Sequence, residues 1–336
     1  MRSVDYNLVL QQLSELAGEE YSRLTAEQKR RFRGFISRRL REAWEDGYWP
    51  ETLLVEERKY RLDWVSGTSY VVTDEVFFLE TGKYYQCTKA TSSVAPADSN
   101  GDTNFSNWHP SLRSYSGDKY AAGTAYVAGD VVYYPTTARY YSCHSASTGN
   151  LPSNTSYWGI LTAFDPYVSY TQTGKTEIGM VRDVYNKDPR SRRDWENPEF
   201  ELNENGVQVP SGYSRVWIEF QKRAPVLQGD EYDAATAYAI GDYVQYTSGS
   251  VINFYKATAA TTGNLPTDTS YWEAIQIPYI FLTFLTFAAY ADILHHDGQS
   301  DTARIYERRA SQALAAEQGK HTQLQPVTNR IAVQTY

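Results

Sequence analysis

The sequence predicts an α+β fold: helices at both ends, β-structure between them, and three small β-modules set into the chain. Three observations predict it. Apolar stripes with helical period occur near the two termini, and the middle alternates with period two between turn residues. One short block is also written three times: GTSYVVTDEVFF from Gly67, GTAYVAGDVVYY from Gly123 and ATAYAIGDYVQY from Ala235. YYQC, YYSC and FYKA follow these blocks, and Trp108, Trp158 and Trp272 close them. Such self-similarity marks a small folding unit used repeatedly. Two copies lie in tandem and the third stands apart, so they read as insertions into a host.

The elements follow in order. Val4, Leu8, Leu10 and Leu13 form a stripe that predicts a first helix up to Ala17, with Gly18 suited to its cap. Thr25-Ala26-Glu27-Gln28 has the form of a capping box and opens a second helix. On that helix Phe32, Phe35, Ile36, Leu40 and Ala43 fall on one side, and Arg30, Arg31, Arg38 and Arg41 on the other. Gly47 and Pro50 end it, and residues 57–64 alternate like a strand. The modules are expected at 65–115, 116–162 and 231–276. Residues 163–230 form a central β-domain without the repeat signature, with strands in YVSYTQ, EIGMVRDVYN, EFELNENGVQV and SRVWIEFQKR and a hairpin turn at Asn205-Gly206. Pro278 opens a helix that Gly298 stops, and a last helix covers about 301–318. Residues 1–64 and 277–320 are expected to form one helical bundle, because neither half could bury its stripe alone. Residues 321–336 are polar and read as an extended arm.

Composition narrows the function. A net charge of -8 argues against a general nucleic-acid binder. The 29 tyrosines and 8 tryptophans suit half-buried strands and contact surfaces rather than a large aliphatic core. Cys87 and Cys143 hold the same place in two copies, where the third has Ala257, so they read as half-buried thiols in a reducing compartment. The start MRSVDYNLVLQQL lacks the order of a signal peptide, and IFLTFLTFAAYADIL is too short to span a bilayer. The chain is therefore expected in the cytoplasm where it is made.

No catalytic residue, metal site or cofactor is expected. DWENPEFE at 194–201 could supply the paired carboxylates of a glycosidase, but it reads as a charged hairpin surface. His295 and His296, beside Asp297, point about 100° apart on a helix and are poorly placed to share an ion. His109, His144 and His321 stand alone, and no P-loop, GxSxG, HExxH or dinucleotide fingerprint occurs.

The order of aromatic, Asp, strand, YYxC and closing Trp is carried by Tyr126, Asp130, Val132, Tyr140, Tyr141 and Trp158. It resembles the small chitinase-type carbohydrate-binding module. That resemblance implies compact three-stranded units, some of which grip polysaccharide with exposed rings. Tyr126, Tyr141 and Trp158 read as a miniature core. Tyr133, Tyr134 and Tyr246 are the ligand-contacting candidates, since Tyr133 and Tyr134 must point to opposite faces. The arginine face of the second helix offers a contact for acidic protein surface or passing DNA.

With the modules set aside, VDYNLVLQQLSELAG, REAWEDGYWPE and ERKYRLDW, then SRVWIEFQKRAP, AAYADILHHDGQ and ARIYERRASQALAAE, remain in order. This order resembles head-to-tail adaptor (connector or neck) proteins of tailed bacteriophages. The resemblance implies a virion structural protein at the head-tail interface, assembled in the host cytoplasm as a dodecameric homo-oligomeric ring. Its partners would be the portal protein, tail or neck proteins, and genomic DNA passing through the channel without sequence specificity. The C-terminal arm would reach into the portal, anchored by Ile331, Val333 and Tyr336. The alternative is a carbohydrate-binding adhesin of a tail fibre or baseplate, with the modules touching a host glycan. An accessory chain of a polysaccharide-degrading enzyme is a weaker third, lacking a secretion signal and an acid pair.

Overall fold

The Thr25 hydroxyl accepts from the Gln28 N–H and the Gln28 side chain accepts from the Thr25 N–H, so the capping box starts helix α2, Ala26–Glu45. Helix α1, Tyr6–Leu16, precedes it, and Gly18 follows α1 in the left-handed conformation at φ 73°. Helix α3 is Leu282–His296 and α4 is Ser300–Leu324. The structure is a computed structural model that describes residues 2–191, 194–209 and 213–324. Among the described residues it is a mixed α+β fold, with four α-helices and many strands in several small sheets.

The chain divides into two units. One is built from the chain up to Leu53 and from Gln221 onward, and holds the four helices and the third module; the other, Leu54–Phe220, holds the first two modules and the central strands. The first unit has a core drawn from Leu10 and Leu13 of α1, Phe32 and Ile36 of α2, Leu285 and Ala289 of α3, Ala310 and Leu314 of α4, and Ile252 and Phe254 of the third module. Burial of such side chains contributes roughly 1.5–3 kcal/mol each. In the second unit Val168, Ile178, Val184, Val207, Ile218 and Phe220 form a β-core that also takes in Tyr60, Phe77 and Tyr84.

Four expectations are corrected. Leu8 is 37% exposed, and the buried face of α1 is Tyr6, Val9, Leu10 and Leu13, the i, i+3, i+4, i+7 arc from which Leu8 is displaced. The strand expected at 57–64 lies at Leu53–Arg58, edging a sheet whose centre is Val216–Lys222; of the rest, Asp63 makes a single bridge to Phe77. In the central hairpin the Asn203 N–H bonds the Gly206 carbonyl at 3.1 Å, so Glu204 and Asn205 form the turn. Gly206 opens the returning strand, where a Cβ would run into the Val168 carbonyl of the neighbouring strand. Finally, α4 continues through Leu324, so the first four residues of the expected arm are helical; Ile331, Val333 and Tyr336 lie outside the described residues.

All three copies adopt one register. Val76 pairs with Tyr85 and Cys87 with Trp108; Val132 with Tyr141 and Cys143 with Trp158; Val244 with Tyr255 and Ala257 with Trp272. Each three-stranded antiparallel sheet also receives a short parallel strap, through Asp63 to Phe77, Lys119 to Tyr133 and Glu231 to Gln245.

Candidate functional site

Each module is closed by rings that hydrogen-bond to their own backbone. The Tyr70, Tyr126 and Tyr238 hydroxyls accept from the N–H of Val65, Ala121 and Asp233 at 2.8–2.9 Å. Asp74, Asp130 and Asp242 each accept the N–H of the residue three before, at 2.7–2.8 Å. Trp108, Trp158 and Trp272 are buried, and their indole N–H groups donate to Val94, Asn150 and Asn264 carbonyls. A ring so covered and bonded is a core element, because leaving its polar edge unpaired would be costly. Tyr126, Tyr141 and Trp158 thus sit inside their module, Tyr141 bonding Thr137 at 3.1 Å.

The core has one more member that sequence reasoning missed. Six residues upstream of Tyr70, Tyr126 and Tyr238 stand Trp64, Tyr120 and Tyr232, all on the parallel strap. Tyr120 stacks on Tyr126 with ring centroids 5.7 Å apart, and Tyr232 on Tyr238 at the same distance. The constant spacing and the shared Gly-Asp-x-Tyr at Gly117 and Gly229 could have found them. Those glycines are demanded by close approach: a Cβ would run into the carbonyl of Val131 or Tyr243 on the neighbouring strand.

The ligand-contacting candidates separate. Tyr134 packs edge-on to Tyr120 and Tyr141, and Tyr246 edge-on to Tyr232 and Tyr255, so both belong to the aromatic lid of their own module. Tyr133 is on the opposite face, beside its cross-strand neighbour Tyr140, with centroids 5.3 Å apart and planes at 56°. Both are half-buried. The same pair is occupied elsewhere. In the first module it is Phe77 and Tyr84, buried in the β-core against Tyr60 and Phe164. In the third it is Gln245 and Phe254, and Phe254 is fully buried against Tyr6 of α1 at 4.9 Å.

The arginines of α2 divide as well. Arg30 and Arg41 are exposed. Arg38 pairs with Asp292 of α3 at 2.7 Å, and Arg31 lies 3.4 Å from His296 Nδ1. Arg39, absent from the predicted face, is the most committed: both its Nε and Nη2 donate to the buried Asp292 carboxylate, and Nη1 reaches Glu42. Burial lowers the Arg39 guanidinium, but the carboxylates of Asp292 and Glu42 more than offset it and hold it above its ordinary value. Part of the basic face is therefore a tie between α2 and α3.

Cys87 and Cys143 are free thiols, fully rather than half buried, donating to Lys89 and Ser145 carbonyls; burial pushes Cys87 up to about 11 and Cys143 upward, away from a reactive thiolate. In the acidic stretch Asp194 pairs with Lys187 at 2.6 Å and Glu196 bonds Asn186, so these carboxylates staple a surface loop. Among the described residues no group of three or more His, Cys, Asp or Glu could hold a metal ion, and no helix is long and apolar enough to cross a membrane. A cleft of about 580 Å³ lined by Tyr70, Val76 and Tyr167 contains the Arg61–Glu75 ion pair at 2.7 Å. Burial pushes the Glu75 carboxyl up despite Arg61 beside it, and all three Arg61 donor nitrogens are spent on Glu75, Tyr60 and Asp165. No family model and no curated protein matches this chain.

Proposed function

We propose that this protein works by assembly rather than catalysis, as a virion head-to-tail adaptor whose copies form a ring between portal and tail around the DNA path. The observation that carries it is the use of the modules. Two of the three bury the Phe77–Tyr84 and Gln245–Phe254 face in their own chain, and the rings that define the repeat are core. Modules built in this way add bulk and contact surface to a host, as a structural subunit requires. The order of the host segments, which resembles that of phage adaptors, supplies the specific assignment. In it the helices that share one core form the ring body, and the chain beyond Leu324, with Ile331, Val333 and Tyr336, docks in the portal.

The test is a mass measurement of the purified protein, alone and with portal protein. A stoichiometric ring complex is expected, and it should be lost when residues 325–336 are deleted while α4 stays folded. A truncated chain that still assembles on portal removes the arm from the account, and no complex at all removes the adaptor. One observation favours the glycan-binding adhesin instead: the half-buried Tyr133–Tyr140 pair. Its tilt of 56° gives a sugar no flat two-ring platform, which weighs against it.

A further inference from the structure

The three modules share more than a fold. In the first, the strap residue is Asp63, and Lys59 pairs with it at 2.6 Å while lying 4.6 Å over the Phe77 ring. In the third, the strap residue is Glu231. Arg33 of α2 reaches across to Gln245 and the Gly229 carbonyl and lies 5.7 Å over the Phe254 ring. Each covered face thus combines an acidic strap, an aromatic ring and a cation lying over that ring.

The second module keeps the geometry and reverses the sign. Its strap residue is Lys119, exposed and in register with Tyr133. Among the described residues, Tyr133 and Tyr140 have ring contact only with each other. The other end of the same face is already covered: Leu161 is buried, and a Cβ on Gly159 would strike Thr88 of the first module. The open part is therefore continuous with an interface inside the chain. Half-covered tyrosines suit a protein contact, with the ring against apolar surface and the hydroxyl at the wet rim.

We infer that Lys119, Tyr133 and Tyr140 form a docking face for a second copy of this chain, which meets it with an acidic side chain over an apolar patch. Charge complementarity selects the occupant. In the first module the acidic strap residue is paired with this chain's own Lys59, and in the third Arg33 lies over the ring while Glu231 bonds Gln245 and Thr247; the second module carries a base instead, and the chain has a surplus of acid, 40 Asp and Glu against 32 Lys and Arg. The inference rests on the assembly reading only in requiring neighbouring copies.

The experiment uses the full chain with a photo-crosslinking phenylalanine in place of Tyr140, irradiated alone and with portal protein. Sedimentation of wild type, the double variant Tyr133→Ser/Tyr140→Ser, and Lys119→Glu follows in both conditions. The expected result is a crosslink to a second copy and at least tenfold weaker self-association in both variants, with unchanged circular dichroism. Lys119→Glu alters an exposed side chain and keeps the test valid if the double variant misfolds. Self-association or portal-bound rings indifferent to Lys119→Glu would overturn the contact and leave the adaptor reading standing. Copies that crosslink through position 140 without binding portal would support the contact and sink the adaptor. No crosslink in either condition, or chitin-oligosaccharide binding abolished by Tyr133→Ser, would overturn it.

Discussion

Around Leu10, Ile36 and Leu285 the helices bury aliphatic side chains contributed by both ends of the chain; around Trp158 and Trp272 the modules bury rings contributed by a few neighbouring strands. The helical core has many members, so each position shares its neighbours with several helices. The hydrophobic cluster of the second module is built on Val132, Tyr141, Cys143 and Trp158, with Tyr120, Tyr126, Tyr134, Tyr157 and Ile160 packed around them. A unit this small cannot assemble enough aliphatic volume, and a large ring with its polar edge bonded to backbone substitutes for it. The difference teaches where each region is fragile: the helices through their long-range ties, the modules through one residue.

The largest effect should come from that one residue. Trp158→Ala and Trp272→Ala each remove a buried indole, at a cost of about 3–5 kcal/mol. Hydrogen exchange should then show the strands of the affected module opening. The two should differ in reach. Trp272→Ala should also loosen α1, because Phe254 and Ile252 of that module belong to the helical core, whereas Trp158→Ala should leave the helices protected. Equal loss of helix protection in both variants would break the contrast.

Next in size is the charged tie. Asp292 is 7% exposed and accepts from Arg38 and Arg39, so Asp292→Ala strands a largely buried guanidinium. About 3 kcal/mol is expected, at the low end for a broken buried pair, since Arg39 keeps Glu42 and has Glu307 at 3.7 Å. Denaturant unfolding checks it, and a loss under 1 kcal/mol would mean the helices do not depend on the tie. Smaller still is Thr25→Ala, which deletes one side of the capping box at a cost of about 1 kcal/mol. Exchange at the first turn of α2 reports it, and the modules should not respond.

What was legible follows the same division. The capping box at Thr25 and Gln28 and the Tyr126, Asp130 and Trp158 pattern are local, so a few adjacent residues state them completely. Trp64, Tyr120 and Tyr232 stand in the sequence at constant spacing, but they lie upstream of the similar block, and Trp64 ends a run that reads as an ordinary strand. Arg39 and Asp292 are 253 positions apart, and no local spacing marks either as the other's partner. Leu8 fails for a related reason: a stripe shows that a helix has an apolar side, while the neighbours it packs against set its exact direction. The end of α4 went unseen because apolar periodicity stops near Leu314 while backbone hydrogen bonding continues to Leu324.

Acid should separate the two units most gently of all. His109 and His144 lie in the unit with the first two modules, 6% and 3% exposed, and burial lowers both below the ordinary histidine value of 6.5. His109 faces the rings of Phe105 and Tyr115 and the Pro110 carbonyl; His144 faces the Thr155 carbonyl and the Ser145 hydroxyl, with Lys89 disfavouring its charge further. A histidine whose folded value is depressed is held neutral by the fold. Its contribution is therefore complete above about pH 6.5 and drains away as pH falls from there through the lower folded values. His295 and His296 in the other unit are exposed, beside Glu307 and Asp297. Hydrogen exchange on mild acidification should thus lose protection in the strands Lys83–Cys87 and Arg139–Cys143 before it does so in α1 or α2. His109→Gln with His144→Gln should flatten that response. If the helices yield at the same pH as those strands, or the double variant remains just as acid-sensitive, these two imidazoles are not what distinguishes the units.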